Sequence, residues 1–489
     1  MRESSRDAFA RVFQAIRTSA SRQTSPTFAS ARFSSSASDG RSSSPGAFAV
    51  AARPAARPPA RPGGSRGPSR AAARHRRTRA PASASLRRLG DRRRRTTDGG
   101  RAALIWPRDD VKLERVRALM DERGLDALVV RAPDNVLYLT NFWAMKGYEV
   151  CVFPREGEPV LVCLEASAED SARMAWTSDV RLFRGYDEGD PRPPVARALD
   201  IARKVASEYR TLGLELSLGT QASDRMVGEP TTFTREWFHA FGDDVEDATP
   251  LLAEARAIKT EQEIERMRLA NDIAAAAMEH AKIVVEPGMS EAQLAAEWQS
   301  VVHGEGTGWE RKVDLALGFS LVWSGLGIKT FTATADRPVV EGEPTLFEIW
   351  VCADGYWCDH TKNLVVGELT PRYRELEESL MTVYQDAIDF IRPGASLAEL
   401  DRRVRAGIET MHFPGEPSHP ICHGVGARAH EPPYAHQAGG GEIAEGMVLA
   451  LEPGCYWEGG GGLRVEDNFL VTAAGAEKLS PFPDGIVQA

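Results

Sequence analysis

The sequence has few cysteines and no long apolar segment, and both absences narrow the classes of protein that it can encode. Its six cysteines contain no C-x-x-C pair, which argues against a zinc ribbon and against a disulfide framework. No apolar run within the 489 residues is long enough to span a bilayer. We therefore expect a soluble protein without a membrane partner, in a reducing compartment such as the cytoplasm.

The first 100 residues lack lysine altogether. They contain 22 arginines and 5 acidic residues, whereas the remainder contains 38 basic and 64 acidic residues. Large apolar residues are few, so burial cannot offset the conformational entropy of this segment, and residues 1–105 are predicted to be a disordered extension. Residues 8–22 would suit a mitochondrial presequence, and the arginine clusters could contact nucleic acid, although no specific nucleic-acid partner is expected. We favour a third interpretation, translation of GC-rich DNA upstream of the true start.

An α/β domain is expected over residues 108–252. A helical apolar period covers residues 110–124, and the strand-like runs DALVV, NVLYLTNF, EVCVF and PVLVCL follow it. Asp134 and Asn135 are interpreted as turn residues. A second domain, residues 257–489, begins with a long helix, so the chain is predicted to be of the α/β (α+β) class.

Five potential metal ligands occur in the last third of the chain, each in a strand-like or turn-like segment: Glu348, Asp359, His423, Glu452 and Glu466. Four carboxylates gathered in a folded core repel one another and lose hydration, so such a cluster needs a cation or protons. Carboxylate oxygens with an imidazole suit Mn²⁺, Co²⁺, Fe²⁺ or Zn²⁺. The set therefore predicts a hydrolytic enzyme with one or two divalent ions per chain.

The local pattern around these ligands predicts that some of them share a face. With Asp354 and Gly355 as the two turn residues of a hairpin, Asp359 lies opposite Trp350 and diagonal to Glu348 on the same side. The alternative is an exposed polar face of an edge hairpin, and the surrounding tryptophans disfavour it.

Two histidines, His423 and His430, stand seven positions apart in HGVGARAHE, and the glycines between them allow both rings to face one cavity. The alternative is a surface loop that happens to contain two histidines. Two further segments with carboxylates favour the site: GMVLALEPG ends its apolar run at Glu452, and Arg464 and Glu466 share a face of the next strand.

Three motifs follow one another: HGVGxxxHE, LEPG and RVED, and the glutamate of RVED lies fourteen positions after that of LEPG. Together they resemble the pita-bread metallopeptidase family. That family includes Xaa-Pro dipeptidases (prolidases), aminopeptidase P and methionine aminopeptidases. The segment LDALVVRAPDNVLYLTNF resembles the creatinase-type N-terminal domain of the proline-specific branch. The resemblance covers residues 108–489 and implies a creatinase-like N-terminal α/β domain, a pita-bread C-terminal domain and a homodimer.

The resemblance also implies roles for individual residues. Asp359 and Glu466 would bridge two metal ions, and His423 and Glu452 would bind the second ion. His430 would stabilise the tetrahedral intermediate after attack by a metal-bound hydroxide, and Glu466 would move the proton, so His430, Glu452 and Glu466 are the expected catalytic residues.

The chain departs from the family pattern at three positions. Glu348 replaces an aspartate, Trp350 replaces a glycine, and Phe331 stands in the register of a histidine that handles substrate. Phe331, Trp350 and Arg464 are expected to line the substrate pocket.

Three functions are compatible with these features. The first is a divergent Xaa-Pro peptidase that cleaves short peptides. The second is an enzyme recruited to a non-peptide small molecule, as in creatinase, ectoine-derivative hydrolases or dimethylsulfoniopropionate lyases, for which aromatic side chains could hold an onium group. The third is a non-catalytic binding domain, and the retained carboxylates argue against it.

The composition of the first 100 residues generates a prediction about truncation. A chain that starts at Arg101 should fold and have the same activity as the full chain, because the removed segment cannot contribute to a packed core. Circular dichroism, thermal unfolding and activity measurements on both chains test this expectation. Loss of folding or of activity in the shorter chain would contradict it.

Overall fold

The computed structural model describes residues 106–489, except residues 217–236, 238–239, 242–244, 330–331, 414, 416–418, 458 and 460. The expectations for the extension at residues 1–105 and for Phe331 therefore lie outside the described residues. No helix within the described part of the chain is both long enough and apolar enough to cross a bilayer. The six cysteines are all buried, and none of them forms a disulfide.

The N-terminal domain is built on a mixed sheet with the strand order β4-β3-β2-β1-β5-β6. Its strands are β1 (Ala127–Val130), β2 (Val150–Pro154), β3 (Val160–Leu164), β4 (Val180–Phe183), β5 (Leu212–Leu214) and β6 (Glu246–Asp247). Its α-helices in the described residues are α1 (Asp110–Glu122), α2 (Pro133–Thr140), α3 (Ala168–Met174), α4 (Pro194–Ala206) and α5 (Thr249–Ala257). Side chains of β1 alternate between an apolar cluster with α1 and α5 and a second cluster with α4, because successive strand residues point to opposite faces.

The expectation of a strand in NVLYLTNF is wrong, because residues 133–140 form helix α2. Pro133 occupies the first turn, where its fixed φ suits a helix and its missing N–H is not needed. Asn141 ends the helix in the left-handed conformation with φ of 59°. All eight residues of α2 are buried, so this short segment lacks the exposed face that would have revealed a helical period.

Asp134 and Asn135 are accordingly not turn residues but part of a buried ionic network between the two domains. The guanidinium of Arg256 donates to Asp134 Oδ2 at 2.6 Å and to Asn135 Oδ1 at 2.7 Å. Its Nε also donates to Glu431 Oε2 at 3.0 Å, and Lys259 Nζ donates to Glu431 Oε1 at 3.0 Å. Removal of one partner would leave an uncompensated buried charge, so the network holds the domains together.

The C-terminal domain contains two larger sheets and a hairpin, with helices on the outside. Its α-helices in the described residues are α6 (Glu261–Val284), α7 (Glu291–Glu305), α8 (Pro371–Phe390) and α9 (Leu397–Glu409). One sheet has the order β17-β9-β8-β7, with strands β7 (Ala316–Ser324), β8 (Thr345–Ala353), β9 (Tyr356–Val365) and β17 (Ile486–Gln488). The other has the order β11-β10-β12-β15-β16, with strands β10 (Cys422–Gly424), β11 (Glu431–Tyr434), β12 (Val448–Leu451), β15 (Asp467–Thr472) and β16 (Gly475–Lys478). Strands β13 (Gly454–Trp457) and β14 (Gly461–Arg464) form the hairpin.

Apolar packing lies on the outer side of each larger sheet. Helices α6 and α7 share one apolar cluster with β7, β8 and β9, and α8 and α9 share another with β10, β12 and β15. Helix α6 begins at a reciprocal capping box between Thr260 and Glu263, which satisfies two backbone N–H groups of its first turn. The opposite faces of the two sheets carry polar side chains such as Asp359 and His423 beside a separate apolar cluster that includes Trp350, Ala450 and Leu470.

The predicted hairpin register is confirmed, since Trp350 pairs with Asp359 across β8 and β9. Asp354 and Gly355 both have positive φ, 45° and 92°, as a tight two-residue turn requires. Trp106 Nε1 donates to Asp354 Oδ2 at 2.7 Å, so the turn is attached to the first described residue of the chain.

The charge of Asp272 on α6 generates a prediction about pH and stability. Burial, with a smaller effect of the neighbouring Glu310 carboxylate, raises the pKa of Asp272 from 3.8 to about 7. Because the folded-state pKa exceeds the unfolded-state value, the stability contributed by the protonated carboxyl is complete below about pH 4 and is lost as the pH rises through about 7. As the pH rises over that range, the free energy of unfolding of Asp272→Asn should increase relative to that of the native protein by on the order of 1–2 kcal/mol.

Urea unfolding of the native protein and of Asp272→Asn at pH 5 and pH 8 measures this effect. Substitution of the exposed Asp389 on α8 by asparagine serves as the control. An advantage of Asp272→Asn that is equal at both pH values would contradict the assignment.

Candidate metal centre

The five expected ligands come together between the inner faces of the two larger sheets. Three groups of potential ligands each have donor atoms within 4.8 Å of one another: Glu348 with Asp359 and Glu466, His423 with Glu452 and Glu466, and Asp359 with His423 and His430. Asp359, His423 and Glu466 each belong to two of these groups. The carboxylates of the hairpin are not on an exposed face, since Glu348 and Asp359 are 5% and 0% exposed.

Strand pairing explains the convergence. Glu348 and Asp359 lie diagonally across the β8–β9 hairpin, as the register requires. On the second sheet, His423 of β10 pairs with Ala450 of β12, and Glu452 follows directly after the end of β12. Glu466 stands between β14 and β15, where an isolated bridge to Thr361 joins it to β9. Each ligand is therefore placed by backbone pairing.

Asn468 and Thr361 fix the backbone of Asp359 and the carboxylate of Glu466 at the junction of the sheets. The Asn468 side chain accepts from the backbone N–H of Asp359 at 3.0 Å and donates to its carbonyl at 2.9 Å. Thr361 Oγ1 donates to Glu466 Oε2 at 2.7 Å. Neither residue was expected at the site from the sequence, although Thr361 stands two positions after Asp359 and so shares its face of β9.

The tautomer of His423 fits a metal ligand. Its Nδ1 lies 3.0 Å from the Gly424 carbonyl, which can only accept, so Nδ1 carries the proton of a neutral ring. Nε2 then directs its lone pair towards Glu452 Oε1 at 3.4 Å and Asp359 Oδ2 at 3.7 Å. A lone pair facing two carboxylates is unfavourable unless a cation or a proton lies between them, so the donor set suits a divalent ion.

The pKa shifts of Glu452 and Glu466 reflect the same excess of negative charge. Burial, and then the charge of Glu452, raise the pKa of Glu466. For Glu452 burial acts in the same direction, but His419 and His423 together outweigh it and lower the pKa. Without a cation the cluster thus depends on protons to balance its carboxylates, and bound divalent ions would relieve the same repulsion.

His419 belongs to the centre, and our sequence analysis missed it. It is buried, with Nδ1 2.8 Å from the Pro420 carbonyl and 3.1 Å from Glu452 Oε2, and with Nε2 3.2 Å from the Tyr456 hydroxyl. A ring with a proton on Nδ1 shares that N–H between the Pro420 carbonyl and the Glu452 carboxylate, and its Nε2 can accept from the tyrosine. Its position four residues before His423 was the only sequence signal, because the contact to Tyr456 joins segments that are far apart in the chain.

Arg464 lies behind the ligands and is 1% exposed. Its Nη2 contacts Glu348 Oε2, and its Nε donates to Thr361 Oγ1 at 2.6 Å. Burial lowers the pKa of Arg464 to about 10, so it remains charged at neutral pH. Arg464 therefore offsets part of the carboxylate charge from the side of Glu348.

Aromatic side chains border the centre near His430. Trp350 is 3% exposed, and its ring centroid lies 6.3 Å from that of His430 and 5.4 Å from that of Phe319. His430 is partly exposed, with Nε2 3.4 Å from Asp359 Oδ2. The expected pocket residue Trp350 thus lies beside the ligands, Arg464 lies behind them, and Phe331 is outside the described residues.

The sequence and the fold are both similar to known metallopeptidases. Residues 265–473 match Metallopeptidase family M24, and residues 112–269 match the Creatinase/Prolidase N-terminal domain. The Xaa-Pro dipeptidase of Lactobacillus delbrueckii subsp. lactis is 26% identical over 373 residues, which cover 75% of this chain and 95% of that protein. The Xaa-Pro dipeptidase of Pyrococcus furiosus is 25% identical over 370 residues, 76% of this chain and 97% of that protein.

Among solved structures, the Xaa-Pro dipeptidase from Bacillus anthracis superposes with a TM-score of 0.64 at 22% sequence identity. The superposition covers 78% of this chain and 99% of that chain. This likeness concerns the fold.

The contact between His419 and Glu452 generates a prediction about metal affinity. His419→Ala should weaken the binding of Mn²⁺ by roughly 10- to 100-fold, because Glu452 loses the hydrogen bond that orients it. Titration calorimetry of the metal-stripped protein measures the dissociation constant. Substitution of the exposed His436 by alanine is the control for loss of an imidazole, and equal affinities for the two variants would contradict the assignment.

Proposed function

Because this chain belongs to metallopeptidase family M24 and carries a creatinase/prolidase N-terminal domain, we propose that it hydrolyses short peptides at Xaa-Pro bonds. Two curated relatives named Xaa-Pro dipeptidase support the choice of bond. The observation that carries the proposal is the joining of the candidate ligand groups through His423 and through the carboxylates of Asp359 and Glu466. Two carboxylates that are shared in this way suit a hydrolytic site that binds more than one divalent ion.

The proposed metal ligands are Glu348, Asp359, His423, Glu452 and Glu466, with Asp359 and Glu466 shared if two ions bind. Their oxygen and imidazole donors suit Mn²⁺, Co²⁺, Fe²⁺ or Zn²⁺. A bound ion of this kind supplies a Lewis acid for the scissile carbonyl and lowers the pKa of water.

The other proposed roles belong to side chains of this chain. His430 is 22% exposed at its side chain while Asp359 beside it is 1% exposed, so its imidazole is the group that can reach a substrate. It would donate from Nε2 to the carbonyl oxygen as negative charge develops there. The Glu466 carboxylate would accept the proton of the attacking water and pass it to the leaving amine. His419 and Thr361 orient Glu452 and Glu466 during these steps.

The proposal predicts metal-dependent cleavage that is confined to proline peptides. Xaa-Pro dipeptides and matched dipeptides without proline are incubated with the metal-stripped protein, with and without added Mn²⁺ or Co²⁺. We expect cleavage of the Xaa-Pro series with metal, and a loss of at least about 10³-fold in Glu466→Ala, which lacks both a shared ligand and the proton acceptor.

Controls separate the possible outcomes. The exposed Glu368→Ala is a matched control for removal of a carboxylate and should retain full activity. Cleavage without metal would contradict the proposed ligands. No cleavage of any dipeptide by a protein that binds metal stoichiometrically would contradict the peptidase function and favour a non-peptide substrate.

A further inference from the structure

Two aromatic side chains form a continuous surface with the candidate metal centre. In the three-stranded part of the sheet, Phe319 pairs with Trp350, and Trp350 pairs with Asp359. Residues that are directly opposite in paired strands point to the same face. Phe319 and Trp350 therefore lie on the face that carries Asp359, and we refer to the pair as the aromatic wall.

The two members of the wall differ in exposure. Trp350 is 3% exposed and Phe319 is 46% exposed. Their rings stack with centroids 5.4 Å apart and planes inclined by 25°. Trp350 thus forms the back of the wall, between Phe319 and His430, and Phe319 offers its outer ring surface. Across the paired strands only Trp350 separates Phe319 from Asp359. The exposed ring surface of Phe319 therefore lies close to the candidate metal centre.

The surroundings of the exposed ring are uncharged along its strand. The side chains of β7 that share the face of Phe319 are Leu317, Leu321 and Trp323. On β8 the charged neighbour Glu348 is in contact with Arg464. A charged ligand group placed against Phe319 would lose hydration there without gaining a counter-ion from β7.

The arrangement also disfavours an onium ligand. Tryptophan is the best aromatic partner for a cation, and phenylalanine is a weaker one. The Trp350 ring is buried. Phe319 stacks on it, and His430 is its second ring neighbour. A ligand therefore meets the phenylalanine ring, whose main contribution is apolar contact area.

We infer that the aromatic wall determines substrate specificity: Phe319, supported by Trp350, selects peptides that place an uncharged apolar side chain beside the scissile bond and discriminates against charged ones. This inference rests on the proposed peptidase function, to which it adds the class of side chain. Because the residue after the scissile bond is proline in the proposed substrates, the selected side chain belongs to the residue before it.

The test compares Phe319→Ala with the native protein and with the apolar replacement Phe319→Leu. The peptides are Xaa-Pro dipeptides in which the residue before proline is phenylalanine, leucine, lysine or aspartate. Phe319→Ala should lower kcat/KM for the apolar peptides by about tenfold and change that for the charged peptides by less than about twofold. Phe319→Leu should retain most of the selectivity, and Tyr186→Ala, at a residue 80% exposed in the N-terminal domain, should retain all of it.

Binding measurements keep the inference testable if the native protein cleaves nothing. Dissociation constants of the same peptides are measured by calorimetry in the Glu466→Ala background, with and without Phe319→Ala. Apolar selectivity in binding that Phe319→Ala removes would support the wall even if the peptidase function failed. Selectivity that Phe319→Ala leaves unchanged, in kinetics or in binding, would overturn the inference while leaving cleavage itself intact.

Discussion

Repulsion among the buried carboxylates is the constraint on which the rest of this structure depends. Donor atoms of Glu348, Asp359 and Glu466 lie within 4.8 Å of one another, Glu452 lies equally close to Glu466, and all four side chains are nearly inaccessible to water. The cluster is tolerable only with positive charge close to it. Arg464 supplies part of that charge, two histidines supply more when protonated, and the remaining excess is what makes the site suitable for divalent ions.

The scaffold around the cluster limits how far these side chains can move. Backbone pairing sets the position of each ligand, and hydrogen bonds from Asn468, Thr361 and His419 restrict three of the carboxylate-bearing residues. The helices stay on the outer faces of the sheets, where apolar packing provides stability without placing more polar groups at the centre. Rigid placement of this kind is needed because metal sites tolerate only small errors in ligand position.

The N-terminal domain takes part in this support. Glu431, which binds Arg256 and Lys259 in the interdomain network, directly follows His430 in the chain. Asp134 and Asn135 of helix α2 complete the network from the N-terminal side. The position of His430 at the edge of the centre is thus coupled to the packing of the two domains, and the charges that join them are buried where salt screens them little.

The sequence by itself determined the features that depend on neighbouring residues. The Asp354-Gly355 turn set the register of the hairpin, because only certain turns join paired strands, and the order and spacing of five ligands indicated a metal centre. Contacts between distant segments were decided only by the tertiary structure. They include the pairing of Arg464 with Glu348, the roles of His419 and Asn468, and the burial of Asp134 in a helix that local pattern had suggested to be a strand. Local propensity is a weaker effect than tertiary packing, which buries every residue of helix α2. Residues that meet only because two sheets pack together have no fixed spacing in the sequence.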